Sequence, residues 1–333
     1  RTKFSKSKGF FLDNRRKNRY NGNMEQQEGV HFQRRALSEA GIAYSVSAVL
    51  PVLLSLIVGV IAVLAAGENY AETNWYLFLS YLLPQMCFAA AAVVFFRRSK
   101  VSVRRTYCGC KWHYFVVAVL LQFGLMFSLS ELNNYFIAFL EWFGYVSAGV
   151  PLPSLDGWYL LPALLIIAVL PAVFEETLFR GIMVKNMSAS GWGTAATVLV
   201  SGAMFSLFHG RPEQTLYQFA CGMCFALVVL RAGSILPSAV AHFCNNAAIL
   251  ALTAAGYETE GGWTMPFGWN IGLTVASAVC LAAALVYLIF FDKNNVQKGG
   301  VKDGKPFFFG AAVGIAVCAV TWIVTLVSGF AGG

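Results

Sequence analysis

Nine stretches of the chain are long and apolar enough to cross a bilayer, whose hydrocarbon core is about 30 Å thick. Because irregular backbone cannot face lipid, each stretch is predicted to be a helix. The sixth is short and the fourth to seventh hold most of the polar residues, so eight or nine spans are expected. The stretches are 42–66, 75–96, 113–130, 158–178, 192–209, 217–231, 235–254, 269–291 and 307–330.

The segment after the third stretch has a weaker apolar pattern. Residues 131–156 place Phe136, Phe139, Leu140 and Phe143 at roughly helical intervals. This pattern indicates either an amphipathic helix at the membrane interface or an extension of the third span, and the first is favoured.

The positions of lysine and arginine orient the spans. Basic residues cluster in one set of segments, whereas the other loops contain none and carry acidic residues. Since basic loops remain in the cytoplasm, the N-terminus is expected there, and only Arg211 falls on the opposite side. The basic segments are 1–40, 97–111, 180–185, residue 231 and 292–305, and the acidic ones are 68–72, 131–156 and 258–260.

The bulk composition agrees with a membrane protein. The 333 residues are 58% hydrophobic and 12% charged, with a mean hydropathy of +0.63, which excludes a soluble globular domain. The net charge of +8 does not indicate nucleic acid, because 10 of the 24 Lys and Arg lie in residues 1–40 and six in 97–111, both beside apolar spans. Such charges set topology and contact lipid headgroups.

The predicted fold is therefore an all-α, polytopic membrane helix bundle of eight or nine transmembrane helices. Residues 1–40 are expected to form a disordered, basic cytoplasmic tail, and 41–330 a single transmembrane domain. Residues 1–23 precede the first methionine, Met24. They are expected to be either an upstream extension or foreign to the natural chain. Compact loops without organelle-targeting signals favour a bacterial plasma membrane.

Two adjacent glutamates follow the fourth apolar stretch. Ionisable residues in membrane helices are costly and therefore candidates for function. Glu176 and Arg180 are spaced i,i+4, so they are expected to form an ion pair along the helix. Glu175 points about 100° away from Glu176 around the helix axis and has no partner nearby in the sequence. Pro171 cannot donate a hydrogen bond to the carbonyl of Ile167, so a kink is expected beside the acid.

Three more polar residues interrupt the later spans. His209 lies four residues after Phe205, and His242 lies four residues before Asn246, so each pair shares one helix face. Because polar side chains are not satisfied by lipid, these faces and that of Glu175 are expected to turn to a common interior.

These groups suit hydrolysis of a peptide bond. A carboxylate removed from water is a stronger base, a neutral imidazole can hold the attacking water, and a second imidazole with an amide can stabilise an oxyanion. The same residues, Glu175, His209 and His242, could instead bind a zinc ion, so the cofactor is expected to be either none or zinc. Cys108, Cys110 and His113 lack a second cysteine pair and are interpreted as cytoplasmic loop residues without a metal.

The order Glu-Glu-x-x-x-Arg at 175–180, Phe-x-x-x-His at 205–209 and His-x-x-x-Asn at 242–246 resembles the CAAX prenyl protease and bacteriocin-processing (CPBP, Abi-like) family of intramembrane endopeptidases. The resemblance covers a core of about 158–255. It implies an endopeptidase with Glu175, His209, His242 and Asn246 as catalytic residues, and with Glu176, Arg180 and Phe205 in support. It also implies membrane-embedded or lipidated peptide substrates, with the bilayer and not nucleic acid as a partner.

Simple antiparallel spans would separate Glu175 from His209 by about 20 Å. The fourth helix is therefore expected to continue to about Lys185, and the fifth to begin late and to run past Arg211. The resulting cavity is expected to open to the cytoplasm. Asn245 is expected to point to a different face from Asn246.

Three other interpretations account for the same residues. They could join helices by hydrogen bonds alone, relay protons in a proton-coupled transporter, or belong to a non-catalytic scaffold or immunity protein of the same fold. Cleavage of a peptide, lost when Glu175 is changed, separates proteolysis from all three.

Overall fold

The fold is an all-helical bundle, described here from a computed structural model that covers residues 7–147, 149, 151–259, 262–263 and 265–332. Within these residues nine helices are longer than 15 residues. They are α1 Ser7–Ala66, α2 Asn74–Ser99, α3 His113–Trp142, α4 Gly157–Ala189, α5 Thr194–His209, α6 Thr215–Ala232, α7 Leu236–Ala254, α8 Phe267–Phe291 and α9 Lys305–Phe330.

Short elements connect these helices. They are the 3₁₀ turns Glu68–Glu72 and Pro212–Gln214, the helical turn Val103–Thr106, and a two-residue antiparallel pair of strands, Glu258–Thr259 with Gly262–Trp263.

Seven of the described helices are long and apolar enough to cross a membrane: α1, α2, α3, α4, α8, α9, and α6 with its preceding 3₁₀ turn. Helix α5 is apolar but has only 16 residues. Helix α7 coincides with the seventh predicted span but carries His242, Asn245 and Asn246, which lower its hydropathy. The predicted polytopic helix bundle is thus confirmed, and the protein is a multi-pass membrane protein.

Two expectations about helix borders differ from the structure. Residues 29–40, placed in a disordered tail, continue α1 and bury Ala36, Leu37 and Ala40. The helix continues there because these small and apolar side chains pack inside the bundle. Residues 1–6 of the predicted tail lie outside the described part. Residues 131–142 extend the third span through a π-helical segment, Leu125–Leu129, and do not form a separate interfacial helix.

The first and last helices pack through glycines. A Cβ atom on Gly41 would lie 2.2 Å from the Phe307 carbonyl oxygen, and one on Gly314 would lie 2.6 Å from the Ser45 Cα. The Ser45 hydroxyl donates to the Gly310 carbonyl at 2.7 Å and accepts from the Gly314 N–H at 3.0 Å. Small residues let membrane helices approach to this distance, because no hydrophobic force drives helices together in lipid.

Lys185 holds helix α4 at the end of the bundle that also carries Arg231, which is called the basic end. Its ammonium donates to the carbonyl oxygens of Arg105, Thr106 and Gly233 at 2.6, 3.1 and 2.8 Å. Ten residues of helix separate Lys185 from Glu175, about 15 Å of rise. Glu175 therefore lies well inside the bundle, as the expected continuation of this helix requires.

Helices α5 and α6 form a hairpin whose turn lies next to His209. Gly202 and Gly222 let the two helices touch, since a Cβ on Gly222 would lie 2.8 Å from the Gly202 Cα. Helix α5 ends at His209 because Gly210 is left-handed, with φ 62°. The expectation that this helix runs past Arg211 is therefore wrong. His209 is the last residue of the helix and lies about 22 Å along its axis from the first, Thr194.

We expect Gly310→Ala to lower the thermal stability of the protein. The added methyl group would lie 2.5 Å from the Ser38 carbonyl oxygen, and overpacking of this kind costs about 1–3 kcal/mol. Gly272→Ala is the matched control, since a Cβ there meets no atom within 4 Å. Unfolding in one detergent, followed by tryptophan fluorescence, measures both variants. Equal midpoints would contradict the close contact between α1 and α9.

Candidate active site

Glu176 and Arg180 form an ion pair in the centre of the bundle, as predicted. Both side chains have no exposed surface, and Arg180 Nη1 lies 3.1 Å from Glu176 Oε1. The contact is electrostatic, because within the described residues no N–H of Arg180 has an acceptor with hydrogen-bond geometry. Three rings surround the guanidinium instead: Phe205 at 4.3 Å, Phe225 at 5.2 Å and Phe179 at 5.7 Å. Faces of aromatic rings attract a desolvated cation.

His242 contacts the same carboxylate. Its Nδ1 lies 3.0 Å from Glu176 Oε1, and its side chain is buried. Since a carboxylate oxygen accepts, Nδ1 carries the proton, which leaves Nε2 as the second functional nitrogen of the ring. Glu176 therefore orients His242 from helix α4 while it pairs with Arg180.

Glu175 faces away from this ion pair. The Gln85 side-chain nitrogen donates to Glu175 Oε1 at 3.0 Å, so helix α2 supplies the partner that the local sequence lacks. Gln85 is buried, with 5% of its surface exposed. One hydrogen bond holds one carboxylate oxygen, and the lone pairs of the other oxygen remain available for chemistry.

His209 is held by its own helix. Nδ1 lies 2.8 Å from the Phe205 carbonyl oxygen, and the imidazole packs against the Phe205 ring at a centroid distance of 4.6 Å. Because a carbonyl only accepts, Nδ1 is the donor and Nε2 of the neutral ring is an acceptor. The Phe-x-x-x-His spacing thus selects one tautomer, and Phe205 contributes both its carbonyl and its ring to the site.

Asn246 bonds the carbonyl that Pro171 leaves without its helical donor. The amide nitrogen of Asn246 donates to the Ile167 oxygen at 2.8 Å. Its Oδ1 accepts from Asn245 at 2.9 Å, and Asn245 Oδ1 accepts from Gln122 at 2.6 Å. The expectation that Asn245 points elsewhere is wrong, because the two side chains meet by their hydrogen bond.

These side chains line one cavity of about 180 Å³ between the helices. A cavity of this size and polarity has room for several water molecules. It brings together Glu175, His209, His242 and Asn246, with Phe205 in its wall, whereas Glu176 and Arg180 lie behind it. The residues that sequence reasoning missed are Tyr81, Gln85, Gln122, Tyr217, Gln218 and Asn245.

The cavity is closed toward the basic end of the bundle, the end that carries Lys185 and Arg231. Residues 176–184 of α4 and 224–231 of α6 are all buried there. The partly exposed lining residues Tyr81 and Tyr217 lie near the other ends of their helices. The expected opening to the cytoplasm stays a prediction, and it requires that the end with Tyr81 and Tyr217 faces the cytoplasm.

The zinc alternative finds no support in the arrangement of donors. Among the described residues, no three His, Cys, Asp or Glu side chains converge in a way that could hold a metal ion. The eight cysteines are free thiols, Cys108 and Cys110 included. The choice between no cofactor and zinc therefore stays a prediction, and no chemical step is derived through a metal.

Comparisons with known proteins agree with the motifs. Residues 157–248 match the family described as Type II CAAX prenyl endopeptidase Rce1-like. No curated protein and no solved structure gave a significant match. The matched segment runs from the start of α4 into α7 and contains every motif residue from Glu175 to Asn246. Residues 157–248 are thus similar to the CAAX protease family over the segment that holds the three motifs.

Proposed function

We propose that the protein is an intramembrane endopeptidase that hydrolyses membrane-embedded or lipidated peptides with a water activated by Glu175 and His209. One observation carries the proposal: a carboxylate and an acceptor imidazole nitrogen line the same cavity as the Asn246 amide and His242. The match of residues 157–248 to a protease family supports hydrolysis of peptides.

In this mechanism Glu175 takes a proton from water. Gln85 binds Oε1, which favours Oε2 as the oxygen that faces the water. His209 Nε2 accepts the second hydrogen of the same water, because the bond from Nδ1 to Phe205 keeps Nε2 free of a proton. The water is thereby oriented with a lone pair toward the scissile carbonyl.

His242 and Asn246 stabilise the oxyanion that follows. Asn246 uses one amide hydrogen for Ile167 and has a second to donate. His242 donates through Nε2 only as an imidazolium, because Nδ1–H already bonds Glu176. The charges balance before the attack, with Glu175 and Glu176 negative and Arg180 and His242 positive. They also balance after it, because Glu175 is then protonated and the oxyanion carries the second negative charge. Fixed donors in a site without bulk water act strongly on a developing charge.

The place of the site supports the proposed substrate class. Glu175 lies about 15 Å from the basic end, inside a bundle with apolar outer faces, so a soluble folded protein does not reach it. An extended, membrane-tethered segment does. We place the protein in the plasma membrane with its basic end in the cytoplasm. Entry is then lateral or from the acidic side, where Tyr81 and Tyr217 are partly exposed.

We expect Glu175→Gln to abolish cleavage. Purified protein is incubated with a panel of quenched membrane peptides, and product is identified by mass spectrometry. Loss of the base is expected to lower the rate by at least about 100-fold. The matched control is Glu141→Gln, an exposed residue near the end of α3, which is expected to cleave like wild type. Equal activity of Glu175→Gln and wild type would refute the proposal.

We expect cleavage to survive removal of metals. The wild-type protein is dialysed against a strong chelator and assayed with a peptide it cleaves, and zinc is then added back. Because Glu175 and His209 act directly on water in the proposed mechanism, the rate is expected to stay within about twofold of the untreated enzyme. Loss of activity with recovery on zinc addition would replace this mechanism by a metal-dependent one.

A further inference from the structure

Two buried glutamines line the cavity, and each leaves one oxygen without a partner. Gln85 and Gln122 are 5% and 4% exposed. Their Oε1 atoms are buried and accept no hydrogen bond from any described residue. Neither residue lies in the segment that matches the CAAX protease family. An unbonded buried polar atom costs about 1–3 kcal/mol, so two of them in one cavity require an explanation.

The direction of each amide is set by the group that it donates to. The Glu175 carboxylate only accepts, so the nitrogen of Gln85 points to it and the oxygen points away. The direction of the Gln122 amide is set at the far end of a chain of three hydrogen-bonded amide side chains. The Ile167 carbonyl accepts from Asn246, Asn246 accepts from Asn245, and Asn245 accepts from Gln122.

The start of this chain is Pro171. Because proline has no N–H, the Ile167 carbonyl lacks its i+4 donor in the helix, and the Asn246 amide takes that place. A carbonyl can only accept, so every amide in the chain is turned the same way. The atom left at the end of the chain is an oxygen, Gln122 Oε1.

We infer that Gln85 Oε1 and Gln122 Oε1 are acceptors for the main-chain N–H groups of an extended substrate. This inference rests on the proposed function and names the part of the peptide that the site reads. An extended chain alternates N–H and C=O groups along its length. Both glutamines line the cavity that also holds His242 and Asn246, so a chain bound there passes both side chains. Recognition through the backbone places few demands on side-chain sequence.

The test replaces single substrate amides by esters, which removes one N–H at a time. With a peptide that the wild type cleaves, two positions near the scissile bond are expected to lose about tenfold in kcat/KM each. In the Gln122→Leu variant, the ester at one of these positions is expected to cause no loss of kcat/KM. In the Gln85→Leu variant, the ester at the other position is expected to cause none. Gln297→Leu is the matched control, because Gln297 also has a buried, unbonded oxygen but does not line the cavity. It is expected to keep both penalties.

A second arm tests the direction of the amide chain. Pro171→Ala returns an N–H that competes for the Ile167 carbonyl, so the penalty assigned to Gln122 is expected to shrink. An acetylated N-terminus separates main-chain recognition from recognition of a free amine, and acetylation is expected to change nothing. Ester penalties that are absent, or that are equal in wild type and both glutamine variants, overturn the inference.

Failure of the proposed function gives a different result. If no peptide is cleaved, binding of the same amide and ester peptides is measured by competition with a fluorescent peptide. Esters that bind less tightly to wild type, with the loss removed in Gln122→Leu, would support the acceptors without proteolysis. Equal binding of amides and esters would overturn them.

Discussion

The buried pair of Glu176 and Arg180 is the constraint on which the rest of the site depends. Transfer of each charge from water costs several kcal/mol, and neither side chain keeps any exposed surface. The cost is offset by their mutual contact, by the rings of Phe179, Phe205 and Phe225, and by the bond from His242. Removal of either partner would leave an uncompensated charge, so the pair holds α4 in one rotation.

That rotation determines what Glu175 does. Adjacent residues on a helix differ by about 100° in direction, so a helix that turns Glu176 toward α7 turns Glu175 to the cavity and to Gln85. The same pair positions His242 through Nδ1 and holds Phe205, whose carbonyl selects the tautomer of His209. Helices α4, α5 and α7 are thus connected through one carboxylate and one guanidinium.

Local spacing predicted part of this arrangement. The i,i+4 interval of Glu176 and Arg180, the interval from Phe205 to His209 and the missing N–H of Pro171 are properties of single helices, and each has a counterpart in the structure. Gln85 and Gln122 escaped prediction because their roles depend on how α2 and α3 rotate against α4 and α7. The only signal was a polar residue in an apolar span, which is a weak one.

Three further features were not predictable from the spacing of residues within single helices. The closed basic end depends on side chains from α4 and α6 that fill the same volume, and periodicity does not reveal which end of a bundle is filled. The end of α5 was placed too late because a single glycine, Gly210, reverses the chain there. Asn245 was assigned to another face because adjacent residues on a helix point about 100° apart. The expectation was wrong because a hydrogen bond brings the side chains of Asn245 and Asn246 together.

The division of roles between the two adjacent glutamates is the central claim, and paired unfolding measurements test it most directly. Glu175→Gln and Glu176→Gln are compared in one detergent by their unfolding midpoints. The account predicts that Glu175→Gln unfolds close to wild type, since Gln85 can still bond the amide oxygen. It predicts that Glu176→Gln unfolds at a clearly lower temperature, since Arg180 then loses its counter-charge at a cost of about 3–5 kcal/mol. Equal midpoints for the two variants, or the reverse order, would contradict it.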